Sequence, residues 1–325
     1  MKKILILGLF ISTAAFGQNK QETFFLKDNG EQVKKKEKAD FIRIVEEPDS
    51  GSVLYSVNEY YPDNSKKRTG LASKIDPSLV FEGEVTSYYR NGKKKEVTNY
   101  QNGRRVGNAS FYYQNGQLRE VVEIIPGTGK PGSTNDYTRE RQRLISFFDS
   151  TGAQLVKDGT GAIKRFNDKN EVTEEGSYIE GEKDGIWKGR VGRSTYEETY
   201  EKGKFVQGVS KDEQGITNQY KELEKMPDYP GGIKEFYYYV GNNFSYPAEA
   251  RKKGVSGRLI MGFVVEKDGR LSNIKIIRDL GAGTGSEAIR MLRSSPKWLP
   301  GQQHGIPVRV QYTLPIMLNL EPSGR

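Results

Sequence analysis

The sequence predicts a mainly β fold, in which an elongated β-sheet built from repeats is followed by a small α+β C-terminal domain. Two observations lead to this prediction. A short phrase that joins tyrosine to a glycine turn recurs over residues 18–222, and residues 226–320 change to the order helix, hairpin, helix, strand. Between the two regions a charged segment meets Pro and Gly in QYKELEKMPDYPGG, which marks a domain boundary.

Residues 1–17 have the features of a secretory signal peptide. Two lysines precede an apolar run that ends at Phe16, and small residues occupy the third-last and last positions before the expected cut after Gly17. This pattern predicts a periplasmic protein. The alternative is an uncleaved inner-membrane anchor that leaves the chain facing the periplasm. An apolar helix of this length reaches only about 20 Å, against a hydrocarbon core of roughly 30 Å, so cleavage is the favoured interpretation.

The composition limits the classes of function. The chain has no cysteine, which excludes disulfides and leaves no cysteine to carry a lipid anchor. Its formal net charge is +9, but Lys and Arg are scattered among Asp and Glu, as on an ordinary solvated surface. Together with export, this argues against nucleic acid as a partner.

The repeated phrase predicts a row of antiparallel strands. It occurs as YRNG at Tyr89, YQNG at Tyr100 and Tyr113, YIEG at Tyr178 and YEKG at Tyr200. Asn-Gly between aromatic and β-branched residues favours a hairpin, because a type I′ turn needs positive φ at both central positions. The region resembles MORN-like repeats. Its tyrosines are expected either to stack along the sheet or to form, with basic residues, a platform for a protein or glycan.

The last hundred residues contain three helical segments and a hairpin. Helices are predicted over 232–244, 245–254 and 285–298, with Ser286 as the cap of the last one. Residues 257–279 predict two strands joined by a Lys-Asp-Gly turn.

The final strand has an unusual position for a proline. From Val308 to Leu320 apolar residues alternate with others, a period of two that predicts a long, half-buried strand. Pro315 lies inside this strand, and proline cannot donate to a ladder, so the strand is predicted at the edge of its sheet. The alternative is a bulge that bends the strand.

Residues 226–320 resemble the C-terminal domain of TonB-family energy transducers. The phrases that carry the resemblance are MPDYPGG, NNFSYPAEARKKGVSGRLIMGFVVEKDGRL and SSPKWLPGQQHGIPVRVQYTLPIMLNL. The resemblance implies a three-stranded antiparallel sheet with two helices. Its last strand would pair with the TonB box, a short segment of an outer-membrane TonB-dependent receptor, in transport across the outer membrane. Such β-augmentation relies on the main-chain groups of an open edge.

The resemblance implies partner-binding residues at two places. A tyrosine-proline pair before the second helical segment is expected near the receptor plug, and the final strand supplies the rest. These residues are Tyr246, Pro247, Val308, Arg309, Val310, Gln311, Tyr312 and Thr313. If the edge that carries Pro315 is free, the backbone donors of Arg309, Gln311 and Thr313 face the partner, and Pro315 ends the pairing.

The chain departs from the family in its N-terminal part. TonB transducers have an N-terminal membrane helix that couples to a motor, followed by a Pro-rich spacer, and the sequence before Met226 shows neither. A periplasmic adaptor that binds a receptor is therefore favoured, with inner-membrane motor proteins as partners only if the N-terminus is retained. The alternative function is a periplasmic protein- or glycan-binding scaffold built on the repeats, without energy transduction. The oligomeric state is left open.

No catalytic residues, metal or cofactor are predicted, and the chain is expected not to be an enzyme. The glycine-rich segment 279–292 lacks the Lys-Ser/Thr of a phosphate-binding loop. His304, the only histidine, is expected to be an exposed turn residue. Carboxylate pairs such as Glu197 and Glu198 are expected at solvated strand edges. A hydrolase with two converging carboxylates is the least favoured class.

Overall fold

The computed structural model describes residues 20–49, 51–75, 79–127, 140–167 and 169–319. The predicted signal peptide, with its cleavage site after Gly17, lies outside the described residues, as does Leu320 at the end of the predicted final strand.

Within the described residues, sixteen strands form one sheet in which each strand pairs with the next along the chain. The first eight are β1 (Gln21–Leu26), β2 (Phe41–Glu46), β3 (Tyr55–Tyr60), β4 (Lys66–Lys74), β5 (Val80–Tyr88), β6 (Lys94–Gln101), β7 (Arg104–Tyr112) and β8 (Leu118–Ile125). The next eight are β9 (Arg141–Phe148), β10 (Gln154–Lys157), β11 (Thr160–Phe166), β12 (Val172–Ile179), β13 (Glu182–Val191), β14 (Ser194–Glu201), β15 (Lys204–Lys211) and β16 (Thr217–Tyr220). Neighbouring strands run antiparallel, which confirms the predicted row of antiparallel strands.

The repeated phrase forms two different turns. In the phrase that begins at Tyr100, Asn102 and Gly103 both have positive φ, 51° and 74°, as a type I′ turn requires. In the identical phrase at Tyr113 only the glycine does, at 90°, and the Asn115 side chain accepts a hydrogen bond from the N–H two residues later. The turn after Tyr113 is longer and ends in a glycine bulge. The predicted type I′ turn is therefore present in the phrase at Tyr100 and absent from the phrase at Tyr113.

Three glycines inside strands lie under aromatic rings of a neighbouring strand. A Cβ added to Gly176 would stand 2.3 Å from Cδ2 of Trp187, a side chain with 0% of its surface exposed. Gly189 is covered in the same way by Tyr196, and Gly208 by the Tyr220 ring. These glycines are needed because a flat ring rests on the bare backbone, where any side chain would displace it.

The described residues divide into two compact units, one within residues 20–161 and 178–182 and the other within residues 162–177 and 183–319. The first unit contains an apolar cluster on β2 to β5, made of Val45, Val57, Ala72, Phe81 and Val85. Its Glu59 is completely buried and is held by the guanidinium groups of Arg43 and Arg68, at 2.8 and 2.9 Å.

The second unit includes the C-terminal module, residues 224–319. Its helices are α1 (Ile233–Asn243), α2 (Ala248–Lys252) and α3 (Thr284–Arg293). Its strands are β17 (Glu224–Lys225), β18 (Gly257–Val265), β19 (Leu271–Arg278), β20 (Gly301–Gln303), β21 (Ile306–Val308) and β22 (Val310–Leu318). They form two sheets, with strand orders β19-β18-β22 and β17-β20-β21. The three predicted helical segments, the hairpin and the three-stranded antiparallel sheet are confirmed. The module has three helices where the resemblance implied two, and α3 ends at Arg293, before the predicted end at residue 298.

An apolar core holds the module together. The buried residues come from the segment before α1, from α1, α3, β18 and β22, and from the Trp298 loop: Tyr229, Phe236, Val240, Leu259, Met261, Phe263, Val265, Ala288, Met291, Leu292, Trp298, Leu314, Ile316 and Leu318. Trp298 stands at the centre of an aromatic group, with its ring 5.2 to 5.7 Å from those of Tyr229, Phe236, Phe263 and Tyr312. Aromatic contacts of this kind supply much of the stability of a small core.

The start of α3 differs from its prediction. The helix begins at Thr284, directly after Gly283 in the left-handed region (φ 85°), so Ser286 lies inside the helix and does not cap it. Asp279 takes over the role of a cap, because one of its carboxylate oxygens accepts hydrogen bonds from the Gly285 N–H and the Thr284 hydroxyl.

Candidate partner-binding site

Strand β22 presents two different faces. Leu314, Ile316 and Leu318 are buried in the module core, whereas Gln311 and Thr313 are exposed, as Pro315 is. The alternation predicted for the final strand is therefore present over this range. It results from packing one face of a three-stranded sheet against helices and leaving the other face to solvent.

Within the described residues β22 is paired along one side only. Its partner is β18, in antiparallel register from Val265↔Val310 to Gly257↔Leu318. Since the strand order is β19-β18-β22, the other side of β22 is an edge of the sheet. This is the geometry that β-augmentation requires.

Two observations show which backbone groups face the open edge. Pro315 lies opposite Ile260, and the absence of an N–H is tolerated only where no ladder bond to β18 is needed. In addition, the hydroxyl of Tyr237 on α1 donates to the Pro315 carbonyl oxygen at 3.3 Å, so this oxygen is reached from outside the ladder. Backbone groups alternate in direction along a strand, so the N–H and C=O groups of Gln311 and Thr313 also face the open edge.

Among the described residues, the protection of this edge against pairing is confined to one position. No charged residue occurs from Val310 to Asn319, in a chain in which 29% of residues are charged. Exposed edges are normally blunted by lysine, by inward-pointing charges or by cover from another element. Pro315 and the Tyr237 hydroxyl block one position of β22 and leave Gln311 and Thr313 open.

The predicted strand is interrupted at its beginning. Val308 ends β21 and pairs with Gly301 of β20, and Arg309 separates it from β22. The prediction of one continuous strand from Val308 onward is therefore wrong. The Arg309 guanidinium instead binds both carboxylate oxygens of Glu266 at 3.0 Å. The Ser272 hydroxyl and then this guanidinium hold the pKa of Glu266 below its usual value.

Val310 and Tyr312 contribute to the module and not to its free surface. The Tyr312 ring packs 5.7 Å from both Phe263 and Trp298, and burial raises the pKa of its hydroxyl. Val310 lies over Gly301, where an added Cβ would stand 2.6 Å from its Cγ2. The backbone groups of these two residues face β18, so the open edge is formed by the residues that alternate with them.

Tyr246 and Pro247 lie at the other end of β22. The Tyr246 hydroxyl donates to the Val255 carbonyl, two residues before β18 begins opposite Leu318. Gln311 and Leu318 are seven residues apart, which corresponds to about 23 Å of strand. The structure therefore brings Gln311 and Thr313 together at one place and puts the tyrosine-proline pair at another.

A buried polar cluster was missed by the sequence analysis. His304, in the turn between β20 and β21, has only 19% of its side chain exposed, and its Nδ1 lies 2.5 Å from a carboxylate oxygen of Glu198. Glu198 is 1% exposed and accepts hydrogen bonds from the hydroxyls of Tyr200 and Tyr220, at 2.9 and 2.7 Å. The His304 ring also stacks on Tyr196, with ring centroids 4.2 Å apart. The expectations of an exposed histidine and a solvated Glu198 are therefore wrong.

The cluster has a clear electrostatic character. Burial would raise the pKa of Glu198, but the hydrogen bonds from His304 and Tyr220 outweigh it and hold that pKa below its ordinary value. Burial of the two hydroxyls, and then the same carboxylate, raise the pKa values of Tyr200 and Tyr220. An ionised Glu198 thus joins strands β14 and β16 to the hairpin that leads into β22. Glu198 and the exposed Glu197 are adjacent on β14, and the alternation of faces along the strand places them on opposite sides of the sheet.

The described part of the chain has no group of three or more His, Asp or Glu side chains arranged to hold a metal ion. None of its helices is long and apolar enough to cross a membrane.

Comparison with known proteins agrees with this geometry. Residues 242–320 match the family model for the Gram-negative bacterial TonB protein C-terminal, a stretch that runs from the end of α1 past the end of β22. No curated protein matches the chain. The match supports a TonB-like role in envelope transport at the level of the family, whose domain serves in binding and not in catalysis. The C-terminal module is thus similar to TonB C-terminal domains.

Proposed function

We propose that the chain is a non-enzymatic envelope protein whose C-terminal module binds an extended partner segment along the open edge of β22. One observation carries the proposal: the Tyr237 hydroxyl reaches the Pro315 carbonyl from outside the ladder. The peptide groups of Gln311 and Thr313 are then left facing outward. An antiparallel segment opposite these two residues would form about four main-chain hydrogen bonds.

The partner in this proposal is the TonB box of an outer-membrane TonB-dependent receptor, and the setting is the periplasm. The family match at residues 242–320 and the uncharged edge of β22 support this choice. Tyr246 and Pro247 would contact the receptor plug separately, since they lie beyond the far end of β22. Arg309, held by Glu266, would flank the paired stretch as a rim charge.

The test compares a backbone change with a side-chain change at the same residue. Gln311→Pro removes one outward donor, at a position with the same orientation as Pro315, whereas Gln311→Ala keeps the donor. Peptides covering the N-terminal segments of outer-membrane receptors are titrated into the full chain by calorimetry. We expect Gln311→Pro to weaken binding by about 1–3 kcal/mol and Gln311→Ala to change it by less than about 0.5 kcal/mol. Equal affinities of the folded proline variant and the parent would refute strand addition.

A second candidate function is a scaffold that binds a protein or a glycan. In this proposal the binding surface is the sheet built from the MORN-like repeats. A groove of about 640 Å³ supports it, with a lining that includes Lys188, Arg190, Thr195, Glu197 and Lys211. These side chains are exposed, on the face opposite the buried Trp187 and Glu198. Lys188 and Glu197 form an ion pair at 3.4 Å. Val172, Tyr196 and Val209 also line the groove, so a ligand with both polar and apolar surfaces suits it.

Envelope glycan fragments titrated into the full chain test the scaffold. Arg190→Ala is expected to weaken their binding, and Lys202→Ala, at an exposed turn outside the groove, serves as the matched control. Equal effects of the two changes would exclude the groove as the binding site. Loss of receptor-peptide binding in Gln311→Pro, with glycan binding intact, would show that the two functions are independent.

A further inference from the structure

Helix α1 supplies an apolar wall beside the open edge of β22. Ile233 and Tyr237 stand one turn apart on the same face of the helix, with 44% and 43% of their surfaces exposed. Tyr237 is fixed at the edge by its hydrogen bond to the Pro315 carbonyl. Large apolar side chains left exposed beside unpaired backbone groups indicate an interaction surface.

The direction of α1 places Ile233 beside the free positions of β22. Tyr229, just before the helix, contacts Trp298, which packs on Tyr312 near the start of β22. At the other end of the helix, Tyr246 bonds to Val255, near the residue opposite Leu318. The helix therefore follows the direction of β22.

One turn of α1 covers about 5.4 Å, and two residues of strand cover about 6.6 Å. If Tyr237 stands at Pro315, Ile233 stands level with Thr313, two residues earlier. A segment paired with Gln311 and Thr313 would therefore turn every second side chain toward Ile233 and Tyr237, because side chains alternate between the two faces of a strand.

The surroundings also define the charge of the partner. Residues 310–319 contain no charged side chain, and the exposed face of β22 is formed by Gln311, Thr313, Pro315 and Met317. Arg309, the cation that directly precedes β22, is already bound to Glu266. A charged partner residue paired with this strand would lose water without gaining a counter-charge from β22 itself.

We propose that the partner of β22 is an uncharged, extended peptide segment that presents an apolar side chain to Ile233 and Tyr237, a contact that makes Tyr237 a specificity-determining residue. This inference rests on the strand addition proposed above and deepens it. The Tyr237 hydroxyl has a second role: by occupying the Pro315 carbonyl it ends the pairing there. The ring selects the side chain, and the hydroxyl sets the register.

The experiment uses two capped, uncharged nonapeptides. In the valine peptide, valine and threonine alternate along the chain. The threonine peptide consists only of threonine. Valine and threonine have nearly the same shape, so the comparison isolates the apolar contact. The full chain and three variants are titrated: Tyr237→Ala, Tyr237→Phe and, as a matched control, Tyr238→Ala. Tyr238 is the adjacent residue and is more exposed, at 67%.

We expect the parent to bind the valine peptide about tenfold more tightly than the threonine peptide. Tyr237→Ala removes this preference, and Tyr238→Ala keeps it. Tyr237→Phe also keeps it, and in addition it frees the Pro315 carbonyl, so peptide amide protons beyond Thr313 become protected from exchange. Equal binding of both peptides by the parent, or an unchanged preference in Tyr237→Ala, would overturn the inference. If the valine peptides fail to bind while receptor peptides bind, the inference fails alone; if neither binds, the proposed function fails with it.

Discussion

Glu59 in the first unit and Glu198 in the second are both almost completely buried, but they are stabilised in opposite ways. Glu59 on β3 is held by two permanently charged guanidiniums from the flanking strands β2 and β4. Glu198 on β14 is held by two tyrosine hydroxyls and by His304, which lies 106 residues away in sequence.

The difference shows how the two regions are built. In the first unit the buried carboxylate is satisfied by side chains of the two adjacent strands. In the second unit a buried carboxylate is satisfied in part by the β20–β21 hairpin, and β21 ends two residues before β22 begins. The strand with the open edge is thereby fixed to the last strands of the sheet. A partner strand that pairs with β22 meets a preorganised edge, which lowers the entropy cost of binding.

The largest expected effect contrasts the two carboxylates directly. Glu59→Gln leaves two guanidiniums without their counter-charge and is expected to cost about 2–4 kcal/mol of unfolding free energy. Glu198→Gln keeps the shape and most of the hydrogen bonds and is expected to cost about 1 kcal/mol. Urea unfolding of both variants measures the difference. A larger cost for Glu198→Gln would show that the second cluster depends on charge as strongly as the first.

The next effect concerns the glycines under aromatic rings. Gly176→Ala places a Cβ within 2.3 to 2.7 Å of three ring atoms of the buried Trp187, and the displaced ring is expected to cost about 1–3 kcal/mol. The matched control is Gly241→Ala on α1, where an added Cβ meets nothing within 4 Å. This change is expected to stabilise the protein by about 0.5–1 kcal/mol, because alanine favours helix. Thermal unfolding separates the two, and equal signs would contradict the assignment of Gly176 as a site of ring packing.

A smaller effect is the pH dependence of the Glu198 cluster. Its hydrogen bonds lower the folded pKa of Glu198 below the ordinary value of 4.5, so the unfolded carboxyl binds a proton more readily than the folded one. Its contribution to stability is therefore present above about pH 4.5 and is lost as the pH falls through the folded pKa. We expect the stability difference between the parent and Glu198→Gln to shrink between pH 5 and pH 3. A difference that stays constant over this range would mean that Glu198 has no depressed pKa.

The sequence predicts what depends on local periodicity. The alternation through Leu314, Ile316 and Leu318 is visible because one face of β22 is buried, and Pro315 marks an edge because it lacks a donor. The last helix is recognised by its apolar spacing. The sequence pattern places its cap at Ser286, but the helix begins directly after Gly283. The carboxylate that caps it belongs to Asp279, in the loop before the helix, where the helical pattern gives no signal.

Contacts between distant residues are beyond such patterns. Tyr237 and Pro315 are 78 residues apart, and nothing in either neighbourhood indicates that a hydroxyl reaches that carbonyl. Glu198 resembles its neighbour Glu197 in sequence, and only the orientation of β14 buries one and exposes the other. Val308 continues the alternation of β22, yet it belongs to β21, since its backbone pairs with Gly301.

Amide hydrogen exchange along β22, measured by NMR on the full chain with and without a receptor N-terminal peptide, tests the open edge most directly. In the free protein we expect Gln311 and Thr313 to exchange fast and Tyr312 and Leu314, which face β18, to exchange slowly. Bound peptide should slow Gln311 and Thr313 by at least about tenfold and leave Tyr312 and Leu314 nearly unchanged. Slow exchange at Gln311 and Thr313 in the free protein, or no change at these two amides when peptide is bound, would contradict strand addition at β22.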